Sequence, residues 1–375
     1  MKIAIFHNYM DNIGGAEYVD LIMARELGAD IYTTNIAVEK IKKMGFSTDN
    51  IFSIGKIPVN APFRQEMAYR KFKNLDLGNK YDFYIIAGDW AMPGALRNTP
   101  NFWYVYSPTR EIWDLYKYTR NEIVAKGLFG FINKYLFDFW VLRRRIINKK
   151  DVKKIQNLVC ISKTVQSRVK RYLSKNSKII YPPTEVLKYH FAPSKGYWLS
   201  VNRLINHKRV DMQLKAFAEL PEERLIVVGS YEKSEHFLKY TDYCHRIKPK
   251  NVEIKSWVQD KELVDLYAEC KGFITTSLEE DFGMNVVEAM ASGKAVIAPN
   301  EGGYKETIIN NKTGILIDDI NPDKIVVAIK QISNKLKTNP NKYKQACIQQ
   351  AKKFDIEIFI DKIKQEIESS IQNKK

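Results

Sequence analysis

The sequence contains few cysteines and lacks any long hydrophobic run. Its four cysteines, Cys160, Cys244, Cys270 and Cys347, have spacings that suit neither a disulfide framework nor a metal site. Scattered cysteines of this kind are typical of reduced thiols in a cytoplasmic protein. No apolar stretch reaches the roughly 20 residues that span a bilayer, and the segment 1–6 is too short for a signal peptide. We therefore expect a cytoplasmic protein that is neither secreted nor membrane-spanning.

Several common catalytic motifs are also absent. The sequence has no Gly-x-x-x-x-Gly-Lys-Ser/Thr phosphate loop and no Gly-x-Ser-x-Gly nucleophile elbow. Its five histidines do not show the spacing of metal ligands. The histidines therefore predict no metal site.

Length and charge define the class of protein. With 375 residues, of which 45% are hydrophobic and 27% charged, the chain is expected to form two globular domains. The net charge of +17 favours binding to the phosphates of a nucleotide, a nucleic acid or an anionic membrane. Charge alone does not choose among these partners.

Short buried strands and amphipathic helices alternate along both halves of the sequence, a pattern typical of a doubly wound α/β fold. A proline-stiffened segment, Tyr181-Pro182-Pro183, leads into the predicted domain boundary. We predict an N-terminal domain at 1–187, a second domain at 188–355 and a C-terminal helix at 356–375.

The segment 280–293 combines a loop with the start of a helix. It follows an apolar run at 272–277 that indicates a buried strand. Gly283 would let a ligand approach the backbone, and the free amides of the helix start favour a phosphate. Glu280 and Glu288 are then candidates for binding the hydroxyls of a nucleotide sugar. The alternative is that both are solvated acids.

Two further segments suit phosphate binding. Gly14-Gly15 follows a predicted strand and precedes a helix, the position at which open α/β sheets bind ligands, so Gly15 is placed against a diphosphate. A plain turn is the alternative. Arg203 and Lys208 follow another predicted strand and could neutralise a leaving diphosphate, although exposed basic residues are common.

Six motifs in order resemble the retaining glycosyltransferases of family 4. In chain order they are Gly14-Gly15-Ala16-Glu17, Tyr181-Pro182-Pro183, Ser200-Val201-Asn202-Arg203-Leu204, Lys208-Arg209-Val210-Asp211, Glu280-Asp281-Phe282-Gly283 with Glu288-Ala289-Met290-Ala291-Ser292-Gly293, and Gly302-Gly303 with Glu306. The resemblance implies the GT-B fold, in which two Rossmann-like domains with parallel sheets face each other across an interdomain cleft. Trp113-Asp114-Leu115-Tyr116 is similar to a motif of the bacterial O-antigen mannosyltransferase subgroup.

The resemblance implies a retaining hexosyltransferase that moves mannose from GDP-mannose to a glycan or lipid-linked acceptor. Its catalytic residues would be Glu280, Arg203 and Lys208, with no protein nucleophile. No Asp-x-Asp pair is present, so neither a metal nor a cofactor is expected. The expected donor-binding residues are Gly15, Phe282, Gly283, Glu288, Gly302, Gly303 and Val258.

The acceptor side is predicted in the loop after the strand that ends near Tyr106. Many relatives carry histidine there, and a tyrosine is a poor base near neutral pH. Arg110 and Asp114 are the other acceptor-side candidates. A local ion pair over a structural Trp113 is an equally good interpretation of these two residues.

The segment 117–154 carries a net charge of +8 together with an apolar stripe at helical spacing. Basic and aromatic faces together are typical of a helix that lies in a membrane interface. The resemblance adds that relatives often glycosylate lipid-linked acceptors at the cytoplasmic leaflet, which implies a peripheral location on the inner face of the cell membrane. The alternative is a core-facing helix with a solvated basic flank.

Three other functions compete with this interpretation. The same fold could use a UDP-sugar donor or act as a nucleotide-sugar epimerase, which needs no acceptor. A nucleic-acid-binding protein is the alternative from a different class, because of the net charge. The sequence contains no recognition motif for nucleic acid, so no such partner is expected.

Overall fold

The computed structural model describes residues 1–60, 63–124, 128–155, 157–229, 235–256 and 258–372. The chain divides into two compact units. Unit 1 is Met1–Tyr181 together with Ile360–Lys375, and unit 2 is Pro182–Phe359. The division falls within the proline-stiffened segment, a few residues before the boundary that the sequence predicted.

Unit 1 contains a seven-stranded parallel sheet of order β3-β2-β1-β4-β5-β6-β7. The central strands are uniformly apolar, as expected for strands buried on both faces, and β1 pairs with β4 from Ile3↔Phe83 to Phe6↔Ile86. The strands are β1 (Ile3–Phe6), β2 (Asp30–Thr33), β3 (Ile51–Ser53), β4 (Phe83–Ile86), β5 (Asn101–Val105), β6 (Asn157–Cys160) and β7 (Lys178–Ile179).

Helices alternate with these strands. The helices of the N-terminal part are α1 (Gly15–Leu27), α2 (Val38–Lys43), α3 (Phe63–Asn74), α4 (Tyr116–Val124), α5 (Leu128–Val152) and α6 (Lys163–Leu173). No helix in the described ranges is both long and apolar enough to cross a membrane.

Unit 2 has a six-stranded parallel sheet of order β10-β9-β8-β11-β12-β13. Its strands are β8 (Tyr197–Val201), β9 (Arg224–Val228), β10 (Val252–Lys255), β11 (Gly272–Ile274), β12 (Val296–Pro299) and β13 (Gly314–Ile317). The chain order reverses between β8 and β11, which pair in parallel. Loops at the carboxyl ends of such neighbours are where open α/β sheets bind ligands.

The helices of unit 2 cover most of its remaining length. They are α7 (Val210–Ala218), α8 (Glu235–Ile247), α9 (Asp260–Glu269), α10 (Met284–Ala291), α11 (Tyr304–Thr307), α12 (Pro322–Thr338) and α13 (Lys344–Ala351). The last helix, α14 (Ile356–Gln372), begins in unit 2 and belongs to unit 1 from Ile360 onward. The predicted doubly wound α/β architecture is confirmed in both units.

Candidate functional site

The loop between β11 and α10 is shaped by Gly283. This residue precedes the first turn of α10 and has φ of +88°, a conformation that residues with a Cβ rarely adopt. A methyl group on Gly283 would also lie 2.6 Å from the Tyr304 ring. Glycine is therefore required at this position on both counts.

A second glycine loop, between β12 and α11, packs directly against the first. A methyl group on Gly302 would lie 2.4 Å from the carbonyl oxygen of Glu280, and one on Gly303 would lie 2.5 Å from Cα of Phe282. The amide of Gly303 donates to the Glu280 carbonyl at 2.7 Å. The structure thus brings the two predicted glycine segments together, backbone against backbone.

The predicted catalytic pair Lys208 and Glu280 is in direct contact. The Lys208 ammonium donates to Oε2 of Glu280 at 2.5 Å, and both side chains are partly exposed. Lys208 lies in a short 3₁₀ helix, and its carbonyl oxygen is 2.8 Å from the Thr276 hydroxyl. The loop after β8 is therefore fastened to the loop after β11, which places the ammonium beside the glycine loops.

Sequence reasoning missed a second ion pair in the same region. Arg209 donates to Glu301 through its guanidinium and, at 2.6 Å, to the carbonyl oxygen of Thr276. Arg209 belongs to a quoted motif, but nothing in the sequence pairs it with an acid 92 positions away. This pair places another cation next to the glycine loop at 302–303 and links the loops after β8 and β12.

Glu288 lies on α10, one turn inside its start. The Tyr267 hydroxyl donates to its Oε2 at 2.7 Å. Burial raises the pKa of Glu288, while hydrogen bonds from Tyr267 and Tyr189 and the charge of Lys188 oppose that shift. A carboxylate held by phenolic donors can accept ligand hydroxyls at its remaining lone pairs.

The other predicted residues of unit 2 differ in exposure. Arg203 is exposed in the loop after β8, and Val258 is half-buried between β10 and α9. Phe282 is 2% exposed and packs edge-on against Phe354 at 5.3 Å between ring centroids. Donor binding by Phe282 would therefore come from its backbone.

In unit 1, Gly15 is the exposed first residue of α1. The amide of Gly14 donates to the Glu17 carboxylate at 2.8 Å. Tyr106 donates to Asp20 at 2.6 Å, and His7 lies 2.5 Å from the same carboxyl group and 3.1 Å from Glu17. The end of β5 is therefore joined to α1 by a buried polar network.

Charge decides the protonation of His7. Burial alone would lower the pKa of His7, but the carboxylates of Asp20 and Glu17 raise it to about 10. The two carboxylates therefore favour the protonated form of His7, although burial also raises the pKa of Asp20. Sequence reasoning treated it as structural or solvated, although it follows β1 where a site residue is expected.

Arg110 and Asp114 form an ion pair, with Nε of Arg110 3.0 Å from Oδ2 of Asp114. Arg168 approaches the same carboxylate at 3.6 Å. Trp113 stacks on Tyr172 at 5.3 Å between ring centroids. The structure thus shows the local ion pair beside Trp113 that the sequence analysis gave as one of two interpretations. A role of these residues in acceptor binding stays a prediction.

The structure thus gathers Lys208, Glu280, Gly283, Gly302 and Gly303 in unit 2, whereas Gly15, Tyr106, Arg110 and Asp114 are in unit 1. Among the residues that the structure describes, no group of three or more His, Cys, Asp or Glu side chains is placed to hold a metal ion. Independence from metals and cofactors stays a prediction.

The segment that carries the gathered residues has a clear relationship to known proteins. Residues 186–354 match the model of the family described as Glycosyl transferases group 1. This segment is therefore similar to the group 1 glycosyltransferases. The matched segment includes β8 to β13, the glycine loops and every site residue assigned to unit 2.

Curated relatives match part of the chain at low identity. An uncharacterised glycosyltransferase of Methanocaldococcus jannaschii is 26% identical over 179 residues, which is 47% of this chain and 49% of the relative. The Xenopus laevis GDP-Man:Man(3)GlcNAc(2)-PP-Dol alpha-1,2-mannosyltransferase is 27% identical over 169 residues, 39% of this chain and 35% of the relative. The chain therefore spans about half or less of the length of these relatives.

Similarity of fold extends over the whole chain. The crystal structure of Anabaena HepE in complex with UDP-glucose superposes with a TM-score of 0.72 at 16% identity, covering 98% of this chain and 100% of HepE. With the two parallel sheets, this confirms the predicted GT-B fold. The comparisons include mannosyltransferases but do not distinguish the O-antigen subgroup, which stays a prediction.

Proposed function

We propose that this protein is a retaining glycosyltransferase that moves mannose from GDP-mannose to a glycan or lipid-linked acceptor in cell-surface polysaccharide or glycolipid synthesis. The observation that carries the proposal is the contact between Lys208 and Glu280 beside two interlocked glycine loops, within the segment similar to the group 1 glycosyltransferases. Cations, the backbone amides at the start of a helix and a carboxylate together suit a sugar diphosphate.

The leaving group determines the proposed roles of the cations. Transfer breaks the bond between the anomeric carbon and the diphosphate, so negative charge grows on the phosphate oxygens. Lys208, Arg203 and the amides at the start of α10 would stabilise that charge, and such stabilisation is usually the largest catalytic contribution. Glu280 holds the Lys208 ammonium and would orient the sugar.

The nucleoside would be bound further along the same domain. Glu288 would accept the ribose hydroxyls, and Val258 would contact the base. The name of the Xenopus mannosyltransferase supports GDP-mannose as donor. The UDP-glucose in HepE supports the alternative of a UDP-sugar, and both donors present the same diphosphate to the loops.

The acceptor would be bound by unit 1. Tyr106, Arg110 and Asp114 are the candidate residues, and Gly15 would approach the donor diphosphate from the start of α1. The mechanism needs neither a metal nor a protein nucleophile in this proposal.

Calorimetric titration of the purified protein with GDP, UDP and ADP tests the donor class. We expect GDP to bind selectively, and Glu288→Ala and Arg203→Ala each to weaken binding by about tenfold or more, the effect of losing a hydrogen bond to a charged group. Transfer of labelled mannose from GDP-mannose to isolated cell-envelope lipids then tests the reaction.

Lys342→Ala is the matched control for the calorimetry, because Lys342 is an exposed cation of unit 2 outside the site. Selective binding of UDP would replace mannose transfer by the UDP-sugar alternative. Absence of binding by all three nucleotides would refute the proposal. Donor turnover without any acceptor would favour an epimerase.

A further inference from the structure

Helix α5 is oriented with large apolar side chains facing solvent. Six of them are between 56% and 69% exposed and recur at spacings of three and four residues, so they share one side of the helix. We call this side the apolar face of α5. Its members are Ile132, Tyr135, Leu136, Phe139, Leu142 and Ile146.

The opposite side of α5 is buried and carries polar groups. Arg144 is 2% exposed and donates to Glu66 of α3, and Asp151 is 6% exposed and accepts from the Tyr69 hydroxyl at 2.7 Å. Trp140 also donates to Glu66, at 2.8 Å. These specific bonds fix the rotation of the helix, so the exposure of the apolar face is built into the fold.

This arrangement decides between the two interpretations of the basic and aromatic segment. The buried side of α5 contains Val141 and Val152, each 1% exposed, besides Arg144 and Asp151, but a core-facing stripe would also bury the six residues of the apolar face. The expectation of a core-facing stripe is therefore wrong for the six residues of the apolar face. Trp140 does face inward, stacked on Trp90 at 6.0 Å, and Leu128 and Phe131 lie outside the described side chains.

The apolar face continues into a cationic end. Lys149, Lys150, Lys153 and Lys154, at and just beyond the last turn of the helix, are all exposed, and Arg143 is 52% exposed beside the apolar face. The six apolar residues extend about 21 Å along the axis, at roughly 1.5 Å per residue. Monomeric proteins rarely expose a contiguous apolar surface of this size without a partner.

A second exposed apolar pair lies on the neighbouring helix. Phe63 and Met67 of α3 are 68% and 37% exposed and are one turn apart. They flank Glu66, to which Trp140 and Arg144 are bonded. Both α3 and α5 therefore expose large apolar side chains.

We propose that α5, supported by α3, docks unit 1 onto the surface of an anionic phospholipid bilayer. The apolar face enters the boundary between headgroups and acyl chains, and the lysines at the end of α5 contact the phosphates. Helices that lie in the interface plane combine these two features, and the positive charge favours anionic lipid. A protein partner would not require the lysines to continue the apolar face. If the proposed function is correct, glycosyl transfer takes place at the membrane surface. Only this conclusion rests on the proposed function; the docking of α5 does not.

Vesicle flotation with the full chain tests the surface. We expect the protein to float with vesicles of phosphatidylcholine and phosphatidylglycerol, and much less with phosphatidylcholine alone. The double variant Leu136→Ser with Phe139→Ser should lower partitioning by more than about tenfold. Lys150→Gln with Lys153→Gln should lower it by about fivefold per lysine at low salt, and added salt should weaken wild-type binding.

Leu187→Ser with Val327→Ser is the matched control, because these residues are 90% and 64% exposed in unit 2. Partitioning of Leu136→Ser/Phe139→Ser equal to wild type would overturn the inference, as would a wild type that never floats. A wild-type dimer that this double variant dissociates, without vesicle binding, would show that the surface binds a second copy instead.

Calorimetry with GDP on the same samples separates this inference from the proposed function. GDP binding by Leu136→Ser/Phe139→Ser with wild-type affinity shows that the variant is folded, so its loss of flotation is specific. Flotation without nucleotide binding would leave the membrane surface intact and remove the glycosyltransferase proposal. Nucleotide binding by a wild type that does not float would support the glycosyltransferase proposal and overturn the membrane surface.

Discussion

The Lys208 ammonium and the Glu280 carboxylate lie 2.5 Å apart while both remain partly exposed to solvent. A pair of this kind contributes little to stability. We predict that the pair serves to position the Lys208 ammonium, because Glu280 holds it beside the glycine loops. We therefore expect substitution of Lys208 to affect the reaction more than the fold.

Lys208→Met should lower kcat by about 100-fold or more, because it removes charge stabilisation that develops in the transition state. The melting temperature should change by only a few degrees, as for a surface pair. Steady-state transfer kinetics and differential scanning calorimetry measure the two effects. Lys215→Met, which breaks an exposed pair with Asp211 on α7, is the control. An equal loss of kcat in both variants would contradict the role of Lys208.

Glu111 gives a pH-dependent prediction in unit 1. Burial and the nearby Asp89 carboxylate raise the pKa of Glu111 from 4.5 to about 7, and Trp90 donates to its Oε1 at 3.2 Å. The folded state therefore holds this proton more tightly than the unfolded state. The stability that results is present below pH 4.5 and is lost as pH rises toward 7.

Glu111→Gln keeps an acceptor for Trp90 but cannot ionise. Its unfolding free energy relative to wild type should increase as pH rises from about 4.5 to 7, as measured by urea unfolding monitored by tryptophan fluorescence. Glu39→Gln, at an exposed position of α2, should show no such trend. A pH-independent difference between Glu111→Gln and wild type would show that Glu111 titrates normally.

At the residue scale, the sequence predicted those positions at which the local backbone conformation or packing permits only one residue type. Gly283 and Gly302 were singled out, and both have positive φ and a contact that excludes Cβ. The Arg209–Glu301 pair was missed, because the two residues meet only once β8, β11 and β12 are aligned. His7 was undervalued for the same reason, since its two acids lie on α1.

At the scale of elements, the two glycine loops form one backbone-packed unit. Gly302 has φ of +59° and its Cβ position is occupied by the backbone of Glu280. A side chain at position 302 must displace the segment that carries the Glu280 carboxylate. The loop after β12 therefore controls the shape of the loop after β11.

Gly302→Ala should cost about 1–2 kcal/mol for the left-handed conformation and about 1–3 kcal/mol more for overpacking. Nucleotide affinity should fall with it. Gly196→Ala is the control, because Gly196 also has positive φ but has nothing within 4 Å of its Cβ position. Urea unfolding and calorimetry with GDP measure the two effects. Equal destabilisation by both substitutions would show that the loops do not depend on close packing.

Most strands and helices could be predicted because each carries its own periodicity. The buried strand before Glu280 and the helix after Gly283 are examples, and the C-terminal helix predicted to start at 356 is observed as α14, Ile356–Gln372. The short β3, with one buried and two exposed residues, carries too little pattern to detect. The rotation of α5 was also unpredictable, because bonds from Arg144 and Trp140 to α3 decide which side faces inward.

At the scale of the whole molecule, the sequence predicted two α/β units because motifs and strand patterns occur in both halves. The group 1 match covers only residues 186–354. The fold of unit 1 is therefore assigned from structural similarity, and its proposed role in acceptor binding depends on its own residues. Gly15 belongs to unit 1, yet the sequence predicts that it binds the donor together with residues of unit 2. A whole-chain experiment is needed to test that assignment.

Hydrogen exchange with and without GDP provides this test. A nucleotide at 100 times its Kd stabilises the state that it binds by about 2.7 kcal/mol, so amides that contact it should exchange more slowly. We expect protection in residues 202–209, 280–288 and 300–304 of unit 2. If Gly15 approaches the diphosphate, the start of α1 gains protection as well, whereas α12 serves as the internal control within unit 2. Protection confined to unit 2 would remove Gly15 from the donor site.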